Sequence, residues 1–292
     1  MYLSSVTKTT TTTEEVINCL GGDFKIINFN REKRIIDGLV GAWKFDEGSG
    51  NIAYDSSGNN NHGTLYNGSS VCSNPPTSGC PTWVDGKFGK ALRFDGIDDY
   101  VEAPDSPNLD LPTSYTISAW IYGTFQKPDD NPWNVVVVKG WPDNYGLWIN
   151  KKLFLHHCAI ISNERPCINS AESIVPQNQW IQVAATFDGI YMRTYLNGTK
   201  VAEGYYPGTL STSDTPLRIG IHAPGWAYMN GIIDEVLIFN RALTDDEIKD
   251  LYSYYQNSEI SNGKITILTN RYSFNLYFIG NPQSSLGSKY IA

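Results

Sequence analysis

Apolar and polar residues alternate with a period of two along much of this chain, in short runs separated by turn residues. Tyr115-Thr116-Ile117-Ser118-Ala119-Trp120-Ile121 alternates with period 2, which predicts a strand. Residues 40–45, 90–94, 99–103, 180–187, 192–196, 200–202 and 217–220 read as further strands. Residues 145–149 and 152–156 read as a pair joined across Asn150-Lys151, and the apolar run 135–138 as a strand buried on both faces. Asn197-Gly198 marks a two-residue hairpin, because a type I′ turn needs positive φ at both central positions. The stretch 55–65 is too rich in Gly and Asn to predict regular structure. Near the end, the strand-forming run Ile232 to Phe239 leads into Thr244-Asp245-Asp246-Glu247, a capping box that predicts one short helix over 244–253. Many short strands and one short helix predict an all-β, antiparallel two-sheet sandwich.

The two ends lie outside this pattern. Residues 1–37 carry a Thr run, expected to be extended, then one strand over 24–30 and the charged linker Arg31-Glu32-Lys33-Arg34. Residues 257–292 carry a hairpin of 264–268 and 273–279 across Thr269-Asn270-Arg271. The expected division is therefore an N-terminal arm (1–37), a sandwich (38–256) and a C-terminal β-hairpin arm (257–292). The extra strands either form a small β-subdomain together or add to sheets of neighbouring subunits. Unpaired strand edges invite such addition, so contact with other subunits is the expectation.

Composition narrows the partners. Charged residues are only 18%, while aromatics reach 13%, with 18 Tyr and 8 Trp, which suits a surface that meets others through neutral contacts. A net charge of −8 with no Lys/Arg run argues against nucleic acid. No stretch approaches the ~18–20 apolar residues of a membrane span. Met1 to Lys8 has no apolar core, so no Sec signal peptide is expected. Cys72 and Cys80 bracket one short Pro-containing loop, and Cys158 and Cys167 bracket another. Each pair is expected to form a local disulfide, the alternative being unpaired loop thiols; Cys19 is left over. Zinc is not expected, because there is no CxxC pair and His156-His157 beside Cys158 looks crowded. Disulfides without a signal peptide fit a virion protein, an export route not visible in the sequence, or a thermophile's interior, and an extracellular or virion-surface location is the expectation.

Several segments occur in a telling order: Trp43-Lys44-Phe45-Asp46-Glu47-Gly48-Ser49-Gly50, then Asp55-Ser56-Ser57-Gly58-Asn59-Asn60-Asn61-His62-Gly63-Thr64, then Phe94-Asp95-Gly96-Ile97-Asp98-Asp99-Tyr100-Val101. Trp180 to Gly189, Tyr195-Leu196-Asn197-Gly198-Thr199 and Gly231-Ile232-Ile233-Asp234-Glu235-Val236-Leu237-Ile238-Phe239-Asn240-Arg241-Ala242-Leu243 follow. With these, the chain resembles the laminin-G-like (concanavalin A-like) jelly-roll family. The resemblance implies a jelly roll with its first and last strands adjacent, a candidate structural Ca²⁺, and glycan or protein binding.

For Ca²⁺, the candidate oxygen donors are Asp46, Asp55, Asn59, Asp95, Asp98, Asp99 and Asp234. If the first and last strands are neighbours, Asp46 and Asp234 approach each other. The alternative is that Asp55 and Asp95 only cap turns. For glycan, the candidates are Trp141, Tyr145, Trp148, Trp226 and Tyr228, in or beside segments that read as loops. Catalysis finds no support: the Glu residues are scattered rather than paired across a cleft, and neither a His-Glu-x-x-His nor a Gly-x-Ser-x-Gly pattern occurs. The expected function is a non-catalytic structural or attachment subunit of an extracellular assembly, a virion surface protein or filament, self-associating through its end strands. The alternatives are a soluble carbohydrate-binding lectin-like module, contacting host-surface glycan, and then a glycoside hydrolase.

Overall fold

The computed structural model describes residues 14–19, 22–27, 36–74, 76, 78–126, 131–140, 144–222, 226–257, 264–269 and 272–278, with backbone alone at 14–19, 22–27, 254–257, 264–269 and 272–278. In chain order the strands are β1 (Glu14–Cys19), β2 (Gly22–Ile27), β3 (Leu39–Trp43), β4 (Ile52–Ala53), β5 (Gly63–Asn67), β6 (Ser70–Val71) and β7 (Thr82–Asp85). Next come β8 (Lys90–Asp95), β9 (Asp99–Ala103), β10 (Tyr115–Tyr122), β11 (Trp133–Lys139), β12 (Tyr145–Asn150), β13 (Leu155–Ala159) and β14 (Cys167–Asn169). They are followed by β15 (Ile181–Phe187), β16 (Tyr191–Leu196), β17 (Thr199–Tyr205), β18 (Leu217–Ile219), β19 (Asn230–Phe239), the helix α1 (Asp245–Asn257), β20 (Lys264–Thr269) and β21 (Tyr272–Phe278).

The chain divides into two compact units, Gly38–Tyr252 and the two ends together, Met1–Asp37 with Ser253–Ala292. In the second, the ends pair with each other in one four-stranded antiparallel sheet, ordered β1-β2-β21-β20. The link between the two hairpins is β2 against β21, with Phe24 opposite Phe278. Strand β1 lies where the sequence predicted none.

Gly38–Tyr252 is a two-sheet jelly roll. An eight-stranded sheet runs β17-β16-β15-β10-β19-β8-β7 with β3 on β19, and a nine-stranded sheet runs β14-β13-β12-β11-β18-β9-β5-β4 with β6 on β5. The first and last strands are indeed adjacent, Trp43 opposite Val236. Ile117, Val183 and Ile233 from one sheet meet Val101, Leu147 and Ile219 from the other in a single core. The helix α1 covers the outer face of the eight-stranded sheet: Tyr252 stacks on Trp120 at 5.7 Å. Its capping box forms as the sequence predicts, with Glu247 N–H donating to Thr244 Oγ1 (3.2 Å) and Thr244 N–H to Glu247 Oε2 (2.9 Å).

Turn chemistry sets register. Asn197 (φ 49) and Gly198 (φ 74) make the expected positive-φ hairpin turn. The β12–β13 connection is longer than predicted, and the second strand starts at Leu155 rather than Lys152. There Asn150 Oδ1 accepts the Lys152 N–H (3.0 Å) and Leu153 takes φ 61, so the chain leaves the ladder for four residues. Part of the Gly/Asn-rich stretch 55–65 is regular after all, as the start of β5. Both disulfides form, Cys72–Cys80 and Cys158–Cys167.

Candidate binding site

The nine-stranded sheet carries a second apolar cluster on its outer face, away from the core. Val135, Val138, Trp148, Cys158 and Ala227 are buried there, with Trp133 and Cys167 packed against them. Register puts this cluster in place: Trp148 lies opposite Val135 on one side and His156 on the other. Aromatic rings then run in an unbroken row. Phe154 meets Trp133 at 6.0 Å, Trp133 meets His156 at 4.5 Å, and His156 meets Trp148 at 5.6 Å. Trp148 meets His222 at 5.7 Å, and His222 meets Trp226 at 4.5 Å. The row ends in solvent, because Trp226 is 45% exposed. Gly146 permits it, since a Cβ there would collide with the Trp148 indole. Asn131 joins the two outer tryptophans: its Nδ2 donates to the Trp226 carbonyl and its Oδ1 accepts the Trp133 N–H at 3.0 Å. On the other half of the face, Tyr66 and Tyr100 stack at 4.8 Å, and Arg218 pairs with Glu102 at 2.8 Å. Burial and then the Glu102 charge push the Tyr100 hydroxyl up to about 12, so it stays a donor.

The structure sorts the aromatic candidates. Trp148 and Trp226 belong to the row, joined through His222. Tyr228, half-buried, lies beside it, bridged to Ile221. Tyr145 is instead a core residue, 1% exposed, its hydroxyl donating to the Leu109 carbonyl at 2.9 Å. Period 2 gives Tyr145 and Trp148 opposite faces, so they cannot form one platform. Trp141 lies outside the described residues. The sequence reading missed Trp133, His156 and His222. Its signal was the apolar run 135–138: a strand apolar on both faces implies a cover on the outer one.

The acidic candidates also separate. Asp95, Asp98 and Asp99, around the β8–β9 turn, each offer a carboxylate oxygen within 4.8 Å of the others. Asp99 is 3% exposed and its Oδ1 has no hydrogen-bond partner among the described residues. Burial, then the Asp95 charge, raises Asp99 to about 7. Burial, then the same charge, raises Asp98. Asp46, Asp55 and Asp234 join no such group among the described residues. Asp46 accepts the Lys90 N–H (3.1 Å) and Asp234 accepts the Phe88 N–H (3.0 Å), so both hold the turn between β7 and β8. Asp55 accepts four donors: the N–H groups of Ala42, Ser57 and Asn61 and the Ser57 hydroxyl. With about four lone-pair positions on a carboxylate, none remains for an ion. Asn59 is used as a donor, its Nδ2 to the Val40 carbonyl at 3.1 Å.

Among protein families, the model of the concanavalin A-like lectin/glucanases superfamily, laminin-G type, matches residues 95–249, just over half of the chain. The chain belongs to this superfamily. One curated relative is the adhesion G-protein coupled receptor V1 of Danio rerio, 23% identical over 160 residues. The match takes in 51% of this chain and only 2% of the receptor. Among solved structures, the binding domain of Paraclostridial Mosquitocidal Protein 1 superposes with a TM-score of 0.59 at 18% identity, over 76% of this chain and 53% of that one. Domain 4 of AbnA, a GH43 extracellular arabinanase of Geobacillus stearothermophilus solved with arabinotriose, gives 0.54 at 22% identity, over 73% of this chain and 98% of that one. A botulinum neurotoxin type C structure, described by the toxin's dependence on two ganglioside molecules for cell entry, gives 0.52 at 18% identity, over 77% and 53%. At these identities the likeness shows the shared fold.

For the candidate Ca²⁺ that the resemblance raised, the β8–β9 turn is the place among the described residues where three of the acidic candidates come together. Oxygens bound to a common Ca²⁺ at ~2.3–2.6 Å lie at most about 5 Å apart, and the three carboxylates meet that limit. The buried Asp99 Oδ1 is an acceptor with no hydrogen-bond partner among the described residues.

Proposed function

We propose that this superfamily member is a non-catalytic, extracellular module that binds glycan on the outer face of its nine-stranded sheet. The observation that carries the reading is the aromatic row ending in exposed Trp226, with Asn131 beside it. Indole faces cover the C–H faces of sugar rings, while a few fixed polar groups choose the hydroxyls. The two disulfides suit an oxidising compartment. The arabinotriose bound by the arabinanase domain supports the same ligand class. Glu102, on this face, is held in an ion pair with Arg218 at 2.8 Å. A glycan array probed with the full chain, followed by titration of Trp226→Ala and Trp133→Ala, tests the reading. A central aromatic anchor contributes on the order of 2 kcal/mol, about a 30-fold loss of affinity. Unchanged binding in both variants ends the proposal.

A structural Ca²⁺ at Asp95, Asp98 and Asp99 is the second part. The expected result is a melting temperature that rises with Ca²⁺ and falls with EDTA. Asp99→Asn relieves repulsion, so it should stabilise the Ca²⁺-free chain and abolish the Ca²⁺ response. An Asp99→Asn variant that still responds fully would rule out this site.

The subunit reading now rests on less. The end strands pair with each other, and among the described residues β1 and β20 are the edges of their sheet. Sedimentation of the full chain at high concentration decides it; a monomer removes it.

A further inference from the structure

We infer that reduction of the Cys158–Cys167 bridge opens a two-cysteine, one-histidine site for a thiophilic divalent ion, of which zinc is the first candidate. Cys158 and Cys167 are opposite residues on β13 and β14. His156 precedes Cys158 by two positions, so period 2 puts imidazole and sulfur on one face. His157, which made the segment look crowded in the sequence, points the other way, its Nε2 2.5 Å from the buried Tyr115 hydroxyl. One ligand atom from each of His156, Cys158 and Cys167 lies within 4.8 Å of the other two. A tetrahedral zinc holds its sulfur and nitrogen ligands about 3.3–3.8 Å apart, which needs only local adjustment.

The imidazole is already oriented as a ligand. Its Nδ1 lies 2.6 Å from Asn169 Oδ1. That oxygen only accepts, so Nδ1 carries the hydrogen. In the neutral ring this turns the Nε2 lone pair toward Cys158 Sγ, 2.9 Å away. A histidine that donates its other N–H to a fixed carbonyl is the usual arrangement at a metal. The bridge itself supplies no hydrogen for Nε2, whereas a metal thiolate supplies a cation there. Among the described residues, the other disulfide, Cys72–Cys80, belongs to no such group.

The chemistry balances with a dithiol as reductant. Two electrons and two protons pass from the dithiol to the bridge, giving two cysteine thiols and the oxidised dithiol. Zinc then displaces the two thiol protons to solvent and takes the His156 Nε2 lone pair as its third ligand. A fourth position stays open to water.

The test uses the full chain, reduced with dithiothreitol, desalted without oxygen and titrated with Zn²⁺ or Co²⁺. Native mass spectrometry should find one zinc, less two protons, that the oxidised chain does not take. Co²⁺ should give a thiolate-to-metal charge-transfer band and quench tryptophan fluorescence, since Trp133 lies 4.5 Å from His156. His156→Ala and Cys167→Ser should lose that equivalent, while Cys19, Cys72 and Cys80 remain common to every sample. Asn169→Ala, which frees the ring, should weaken binding about 10- to 100-fold. Equal zinc content before and after reduction overturns the site. So does full affinity in His156→Ala, or a reduced chain that unfolds and is not restored by zinc.

Discussion

Asp55→Ala should destabilise the jelly roll by about 3–5 kcal/mol in urea unfolding, a large share of the 5–15 kcal/mol typical of a domain. The Asp55 carboxylate, 7% exposed, gathers the Gly/Asn-rich loop onto β3. It accepts the N–H groups of Ala42 (2.9 Å), Ser57 (2.8 Å) and Asn61 (2.9 Å). Asn61 in turn holds two further contacts: its Nδ2 donates to the Val40 carbonyl (2.9 Å), and its carbonyl accepts the Trp43 Nε1–H (2.9 Å). Removing the carboxylate leaves three backbone donors without acceptors beside a fully buried indole. Each costs roughly 1–3 kcal/mol, reduced where the loop relaxes to admit water. Asp55→Asn keeps one oxygen and should lose about half as much. The loss should be the same in Ca²⁺ and in EDTA, because Asp55 works through donors rather than an ion. A loss below ~1 kcal/mol would show that the loop is held by other means.

Stability should also fall as pH rises from about 4 to 8, and the fall should depend on Asp234. This side chain is fully buried, and burial first of all, with the Glu235 charge adding to it, raises its carboxyl to about 8 despite the Phe88 N–H. In the unfolded chain the same group titrates near 3.9. Between the two values the folded protein keeps a proton that the unfolded chain releases. The unfolded state is thus favoured progressively through this window, and the effect levels off above the folded value. At 1.36 kcal/mol per unit over about four units, the loss is on the order of 5 kcal/mol. Asp234→Asn still offers an oxygen to Phe88 and does not titrate. Urea unfolding of both proteins across pH 4–9 should show wild type falling relative to the variant. Parallel curves would mean that Asp234 is ionised at little cost.

The local rules were legible without the fold. Period 2 placed β10, the Asn197-Gly198 dipeptide placed a hairpin, and Thr244 with Glu247 placed the start of α1, because each signal lies within a few residues of chain. The cysteine pairs were equally local, each closing a loop of fewer than ten residues. The order of the motifs was enough for the superfamily. What a side chain does depends on what stands across the sheet, and that is set by pairings far apart in sequence. Tyr145 and Trp148 belong to one strand, yet only the position of the core makes the first a filler and the second part of a surface row. Asp46, Asp55, Asp95 and Asp234 look alike in sequence. Asp55 is filled by donors from β3 and its own loop, and Asp46 and Asp234 grip the β7–β8 turn, Asp234 from across 146 residues. Only Asp95 joins Asp98 and Asp99. His156 and His157 are adjacent in the chain, but the pleat sends one to the tryptophans and the other to Tyr115. The sequence by itself determined most of the longer strands, the start of the helix and the family; the tertiary structure decided the short edge strands and which residues share a face, because a carboxylate or a ring acquires its role from neighbours that only folding brings to it.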